Sequence, residues 1–244
     1  MRVSAYIDGY NLYHAIDDLC IQRNSNGQIE TRQDKNFLKW LDLKKLVLRY
    51  VKEDQGQELA NIYYFSAFAN HISESKVKRH KAYLTALNHR NIHFVEGQFK
   101  YVGTKWIKRD DGVFMQKDSY EEKESDVNIA IHIVRDAILN LVDKAVIITN
   151  DSDIAPAIRM AKKINPKWKA VIITPPLGVG RKVNYDLLDA AEQFNKNRQG
   201  QVFREHKILT EHILFECQLP EQLITRDGSV IKRPKKYTVP LEYS

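Results

Sequence analysis

The chain has 244 residues, 43% of them hydrophobic and 28% charged, which fits an ordinary globular protein of one large or two small domains with a sizeable core. No apolar run approaches the roughly 18–20 residues that cross a bilayer, the opening MRVSAYIDGYNLY lacks the regions of a signal peptide, and Cys20 and Cys217 alone exclude a disulfide framework or a paired-cysteine zinc ribbon, so a soluble, cytoplasmic protein is expected. The net charge of +7 favours a polyanionic partner, weakly, because many unrelated enzymes are equally basic.

Residues 3–7 form a short apolar run that stops at Asp8-Gly9, and residues 11–19 have helical character. The polar stretch 21–36 reads as a surface loop, after which Leu43, Leu46, Val47 and Tyr50 restore helical spacing. Residues 61–68 (NIYYFSAF) are aromatic-rich and predict a buried strand. Ser73 is a good cap for a helix carrying Val77, Tyr83, Leu84 and Leu87, whose Lys76, Lys78, Arg79 and Lys81 read as its wet face. Another strand is expected over 92–95. Gly97, Gly103 and the turn at 109–112 then suggest a hairpin at a sheet edge.

A long helix is predicted from Ser125, with Val127, Ala130, Ile131, Val134, Ile138 and Leu141 on its inner face. Residues 145–149 (AVIIT) are a fully apolar strand followed by Asn150-Asp151-Ser152-Asp153 and a helix to about Lys163, with Pro156 in its first turn. A second AVIIT at 170–174 is a further strand, and residues 185–194 a further helix. Past Asn195 the pattern weakens to a helix within 203–215 and a basic, mobile tail at 226–236. Alternating strands and helices indicate an α/β fold, a Rossmann-like three-layer sandwich around a mainly parallel sheet.

Four carboxylates stand where strands stop or helices start: Asp8, Asp126, Asp151 and Asp153. Open parallel sheets bind ligands outside the carboxyl ends of their strands, at the point where strand order reverses. A strand order of 3-2-1-4-5 would bring Asp8 and Asp151 together across that crevice. Gathered carboxylates repel and must bind a proton or a cation. Oxygen ligands without His or Cys suit Mg²⁺ or Mn²⁺, and such an ion points to phosphodiester hydrolysis. Taken singly, the acids have plainer explanations, Asp151 and Asp153 as helix caps, Asp126 as a dipole partner and Asp8-Gly9 as a turn, with Asn11 as a cap. Capping uses one such residue per helix, however, and leaves the D-S-D pair half unexplained.

The segments YIDGYNL (6–12), EKESDVNIA (122–130) and ITNDSDIAP (148–156) resemble the three signatures of NYN domains of the LabA/DUF88 group, in order, over about residues 3–194. The resemblance implies a PIN-like fold and an acidic Mg²⁺ or Mn²⁺ site that cleaves RNA. It also implies that Asp8, Asp126, Asp151 and Asp153 hold the metal, with Asn11 as a polar helper and Thr149 as the hydroxyl beside them. Asn150 replaces the family's usual glycine, which alters a turn and removes no ligand. The Cys-rich zinc element that members often carry near residues 100–117 is missing here, so no zinc is expected.

RNA that is single-stranded or has unpaired regions is the expected partner, with no membrane; self-association of the chain is left open. Lys100, Tyr101, Lys105, Trp106, Lys108 and Arg109 interleave cations for phosphates with rings on which bases stack, and Arg181 and Lys182 are further phosphate candidates. The plain alternative is a solvated hairpin with Trp106 packed inward. The chain divides in this reading into a nuclease domain at 1–194 and a C-terminal extension at 195–244. Two rival functions are a PIN-like RNA-binding scaffold with a silent site and a haloacid-dehalogenase-like phosphatase. The latter needs an aspartate at position 10, where Tyr10 stands.

Overall fold

The computed structural model describes residues 1–23, 29–32, 34–68, 73–108, 112–225 and 227–243. In chain order, β1 (Arg2–Asp8) runs straight into α1 (Gly9–Leu19). A small hairpin of β2 (Ile21–Arg23) and β3 (Ile29–Arg32) follows, then α2 (Leu43–Leu48), β4 (Glu58–Ala67) and α3 (Glu74–His89). The long strands β5 (His93–Lys108) and β6 (Phe114–Lys123) precede α4 (Ser125–Ile138). The second half holds β7 (Lys144–Ile148), α5 (Ala155–Ile164), β8 (Lys169–Ile173) and α6 (Tyr185–Ala191). Two short hairpins, β9 (Phe194–Lys196) with β10 (Val202–Arg204) and β11 (Gln222–Ile224) with β12 (Val230–Lys232), flank α7 (Glu211–Glu216).

The central sheet has the order β6-β5-β4-β1-β7-β8. All its neighbours pair in parallel except β6, which runs antiparallel to β5 on the edge. Its parallel strands, counted along the chain, therefore lie 3-2-1-4-5, the order expected from the sequence. The reversal falls between β1 and β7, which places the crevice at their carboxyl ends.

Two cores cover the two faces, and alternation along β1 feeds both. Val3, Ala5 and Ile7 pack with Leu12 and Ile16 of α1, Leu43 and Leu46 of α2, and Tyr83 and Leu87 of α3. Tyr6 packs on the other side with Ile129 and Ile133 of α4, Ile158 of α5 and Leu187 of α6. Helices on both faces complete the three-layer α/β sandwich.

Several local expectations are corrected. In α4 the buried residues are Ser125, Ile129, Ile133, Asp136 and Ala137, while Val127, Ile131, Ile138 and nearby Leu141 are exposed. The helix carries apolar side chains on two faces, so spacing alone cannot say which face meets the sheet. Ala130 and Val134, between the two, are partly buried against the core. The 21–36 stretch, read as a loop, contains the β2–β3 hairpin, whose strands are too short to show alternation. The helix from Tyr185 ends at Ala191 because Glu192 adopts a left-handed φ of 54°. The 227–236 stretch of the expected tail is not free: it includes β12, and just beyond it Tyr237 is buried against Trp40, while Arg226 lies outside the described residues. Leu209, Leu214, Cys217, Leu219 and Leu223 share the core with α1 and α2.

Candidate active site

Ile7 lies opposite Ile148 in the parallel β1–β7 ladder, so the next residues, Asp8 and Thr149, leave the sheet side by side. The Thr149 hydroxyl donates to Asp8 Oδ2 at 2.9 Å, and the Asn11 backbone amide donates to Asp8 Oδ1 at 2.9 Å. Asp8 thus caps α1 from an extended conformation. The next position requires glycine. A Cβ on Gly9 would come within 2.5 Å of the Tyr64 ring and 2.7 Å of the Phe65 carbonyl oxygen. Helix α1 can start this close to β4 only without a side chain there.

Asp8 is only 4% exposed. Burial pushes its carboxyl up to about 7; the bonds from Asn11 and Thr149 pull it down, and the charges of Asp126 and Asp151 push it up again. Asp126 stands in the first turn of α4, and the side chain of the residue ahead of that helix, Glu124, makes no capping bond. Burial, then the charges of Asp151, Glu122 and Asp153, push Asp126 up to about 6. The acids therefore act on one another across the crevice. Among the described residues, the charges that act most strongly on Asp8 and Asp126 are those of other carboxylates.

The D-S-D segment is tied to this centre by its backbone. The Asp151 amide donates to the Thr149 hydroxyl oxygen at 3.1 Å, and Asp151 Oδ1 accepts from the Asp153 amide at 3.0 Å. Asp151 is thus both a member of the acidic group and the cap of the short turn Ser152–Ile154, which presents Asp153 to solvent. Asn11 does not cap its helix. Its side-chain carbonyl accepts from the Asn150 amide at 3.2 Å and so joins the two acidic loops. Asn150 in turn donates to the Lys182 carbonyl at 3.0 Å and accepts from the Asn184 amide at 2.9 Å, locking the loop after β8 to the site.

Glu122 was not singled out in the sequence, although its charge acts on Asp126. Burial raises its own carboxyl, against a bond from the Ser125 hydroxyl. Its position four residues before Asp126 in EKESD was the available signal. Among the described residues, no three His, Cys, Asp or Glu side chains are gathered into a group that could hold a metal ion as they stand. The acids share a crevice rather than a point.

The basic and aromatic residues are distributed differently. Beyond Gly97 the β5–β6 pair leaves the sheet at its carboxyl end, the side on which the acids lie. Eleven residues at about 3.3 Å each carry it roughly 35 Å outward. Along this arm Trp106 is 67% exposed, Tyr101 packs against Tyr120 at 5.5 Å, and Lys108 lies 6.0 Å above Phe114. Lys100, Lys105 and Lys108 are exposed, and Lys105 stands directly opposite Lys117. Arg109 lies outside the described residues. Arg181 is paired with Asp18 at 2.7 Å, whereas the exposed Lys182 adjoins the site through its carbonyl.

The NYN domain model matches residues 2–197. The chain belongs to the NYN domain family. NYN domains fall within the PIN-like nuclease superfamily and generally bind nucleic acid. This NYN protein is also 29% identical to a 6-hydroxy-3-succinoylpyridine 3-monooxygenase of Pseudomonas putida, over 94% of this chain and 74% of that one. A crystal structure of a protein of unknown function from Vibrio parahaemolyticus covers 86% of this chain and 93% of that one, at 13% identity and a TM-score of 0.49, too loose a likeness to bear on function. No helix among the described residues is long and apolar enough to cross a membrane.

Proposed function

We propose that this NYN protein is a metal-dependent ribonuclease that hydrolyses RNA phosphodiester bonds with Mg²⁺ or Mn²⁺ bound by Asp8, Asp126, Asp151 and Asp153. The observation that carries this reading is the gathering of acids at the carboxyl edge of the sheet, where burial first and then the neighbouring carboxylate charges push Asp8 up to about 7 and Asp126 up to about 6. The donor set fits a hard divalent ion: carboxylate oxygens, with water completing the shell. Asp8 is fixed by its two hydrogen bonds, so the half-buried Asp126 and Asp151 and the exposed Asp153 must turn toward it. A bound ion supplies positive charge and acidifies water.

In this reading Thr149 holds the Asp8 carboxylate in place, and Asn11 keeps the two acidic loops in register. Residues 1–194 form the nuclease unit and residues 195–244 an extension that packs on it through Leu209, Leu214, Leu219, Leu223 and Tyr237. The β5–β6 arm receives RNA. Lys105 and Lys117, placed opposite each other, repel in the free protein, and a phosphate between them would relieve that cost.

Purified protein with single-stranded RNA and Mn²⁺ is expected to yield 5′-phosphate and 3′-hydroxyl ends, to stop in EDTA, and to lose at least about a hundredfold in rate as Asp151→Asn. Undiminished cleavage in chelator, or 2′,3′-cyclic phosphate ends, would contradict the mechanism. Trp106→Ala is expected to weaken unpaired RNA by roughly 1–3 kcal/mol while leaving duplex binding unchanged. Equal loss for both would remove the stacking role.

The 29% identity to the pyridine monooxygenase supports a second reading, oxidation of an aromatic acid. Oxygen uptake with 6-hydroxy-3-succinoylpyridine and a reduced nicotinamide as two-electron donor, in the absence of RNA cleavage, would favour it.

A further inference from the structure

A cavity of about 360 Å³ opens beside the acidic crevice, between α1, α3 and the carboxyl end of β4. Its wall includes Gly9 and Tyr10, the two residues after Asp8, and Ser66 and Ala67 at the end of β4. Gly9 and Tyr10 follow Asp8 directly in the chain, so the cavity opens at the same carboxyl edge of the sheet as the acids, on the face covered by α1 and α3. Its volume lies at the small end of ligand pockets. One flat ring with its attached group fits this space; a base pair does not.

The lining is aromatic and cationic. Tyr10 and Tyr13 stand partly exposed at 41% and 38%, while Tyr64 is buried in the wall. Lys39, Lys76 and Arg79 also line the cavity, against the single carboxylate of Asp17. Lys39 already pairs with Asp17, and its ammonium lies 3.8 Å from the centre of the Tyr13 ring. Lys76 and Arg79 have no carboxylate in salt-bridge reach among the described residues, whereas Lys78 on the same helix does. Arg79 and Tyr237 both line the cavity, where burial raises the Tyr237 hydroxyl and the nearby Arg79 charge lowers it. His80 faces the same space, and burial holds its imidazole down to about 4, so it adds no charge at neutral pH. The positive charge is thus concentrated on α3, across from the rings of α1.

We infer that this cavity binds one nucleotide of single-stranded RNA adjacent to the cleaved bond, with its base against Tyr10 and Tyr13 and its phosphate against Lys76 and Arg79. The inference rests on the ribonuclease reading and adds an unpaired nucleotide as a requirement for substrate. Rings tolerate any base face, so this subsite favours single strands over duplex without selecting sequence. Cations on the opposite wall select a ring that carries an anion over a neutral one.

Calorimetric titration in EDTA with uridine 5′-monophosphate, uridine and nicotinate separates the possibilities. Uridine 5′-monophosphate is expected to saturate one site, and uridine to bind roughly tenfold more weakly or worse, the loss of one charge-assisted contact. Lys76→Ala, on an exposed helix face, should weaken the monophosphate and leave uridine unchanged; Arg79→Ala should do the same more strongly. Tyr13→Ala should weaken both. No saturable binding of the monophosphate, tighter binding of nicotinate than of the monophosphate, or indifference of the monophosphate to both cation variants would overturn the proposal. Because metal is excluded, the outcome is independent of the acidic cluster. RNA cleavage in Mn²⁺ without monophosphate binding removes the subsite alone, whereas monophosphate binding without cleavage removes the nuclease reading, and with it the subsite's place beside a cleaved bond, and leaves a nucleotide site.

Discussion

Asp8 and Asp136 are both buried aspartates, 4% and 1% exposed, yet their surroundings are opposite. Asp136 accepts from the Tyr6 hydroxyl at 2.7 Å and from Arg135 Nε at 2.8 Å, and pairs with the Arg135 guanidinium at 2.6 Å. A cation and a hydroxyl satisfy it within the fold. Asp8 receives a backbone amide and a hydroxyl and, among the described residues, pairs with no cation; its charged neighbours there are other acids. Burying a charge costs several kcal/mol unless a partner offsets it. The fold supplies that partner at Asp136 and leaves it out at Asp8. A buried carboxylate with its counter-charge inside is structure; one whose counter-charge must come from outside is a place for a ligand.

The comparison breaks if the two sites respond alike to mutation. Asp136→Ala strands the buried Tyr6 hydroxyl and unpairs Arg135, and should lower stability by about 2–4 kcal/mol, trimmed because Arg135 is partly exposed to water. Urea melts with and without Mn²⁺ should show the same loss. Asp8→Asn, which keeps an oxygen for the Asn11 amide, should leave the metal-free protein at least as stable as wild type near pH 8. A loss as large as that of Asp136→Ala would mean that Asp8 is only a cap.

The pH dependence sharpens the contrast. With its carboxyls pushed up to about 7 and about 6, the folded protein holds protons at Asp8 and Asp126 that the unfolded chain, titrating near 3.8, has released. This stabilisation is complete below about pH 4 and disappears as pH rises through 6 and 7, a change on the order of a few kcal/mol. Metal-free wild type should therefore lose stability across that window, and Asp8→Asn should flatten the curve. Added Mn²⁺ competes with those protons, so its stabilising effect should grow from pH 5 to pH 8. A metal-free melting curve flat across the window in wild type would refute the coupling.

The smallest expected effect belongs to Asp153→Ala. Exposed in the first turn of its short helix, it should change metal-free stability by no more than about 0.5 kcal/mol. Its signature is the response to metal: the Mn²⁺-dependent rise in melting temperature should shrink. An unchanged rise would remove Asp153 from the ligand set.

Much of this molecule was legible in the chain itself. Two AVIIT runs can only be strands buried on both faces, and apolar runs that end abruptly in Asp8 and in Asp151-Ser152-Asp153 mark strand ends where polar side chains leave the sheet. The alternation of strands and helices dictates a parallel sheet, whose crossover rules bring those ends to one edge. What the tertiary structure decided depends on partners distant in sequence. Helix α4 carries apolar residues on two faces, and only packing on Tyr6 and Phe65 selects Ile129 and Ile133 over Val127 and Ile131. Arg181, free on paper, is held by Asp18; Asn11, a cap on paper, bonds the Asn150 amide. Lys76 and Arg79 read as the wet face of α3 until residues from α1, β4 and Tyr237 close a cavity around them. Local pattern reports what a segment does with its own backbone, whereas charge pairing, face selection and cavities are pairwise properties that appear only once the segments are packed together.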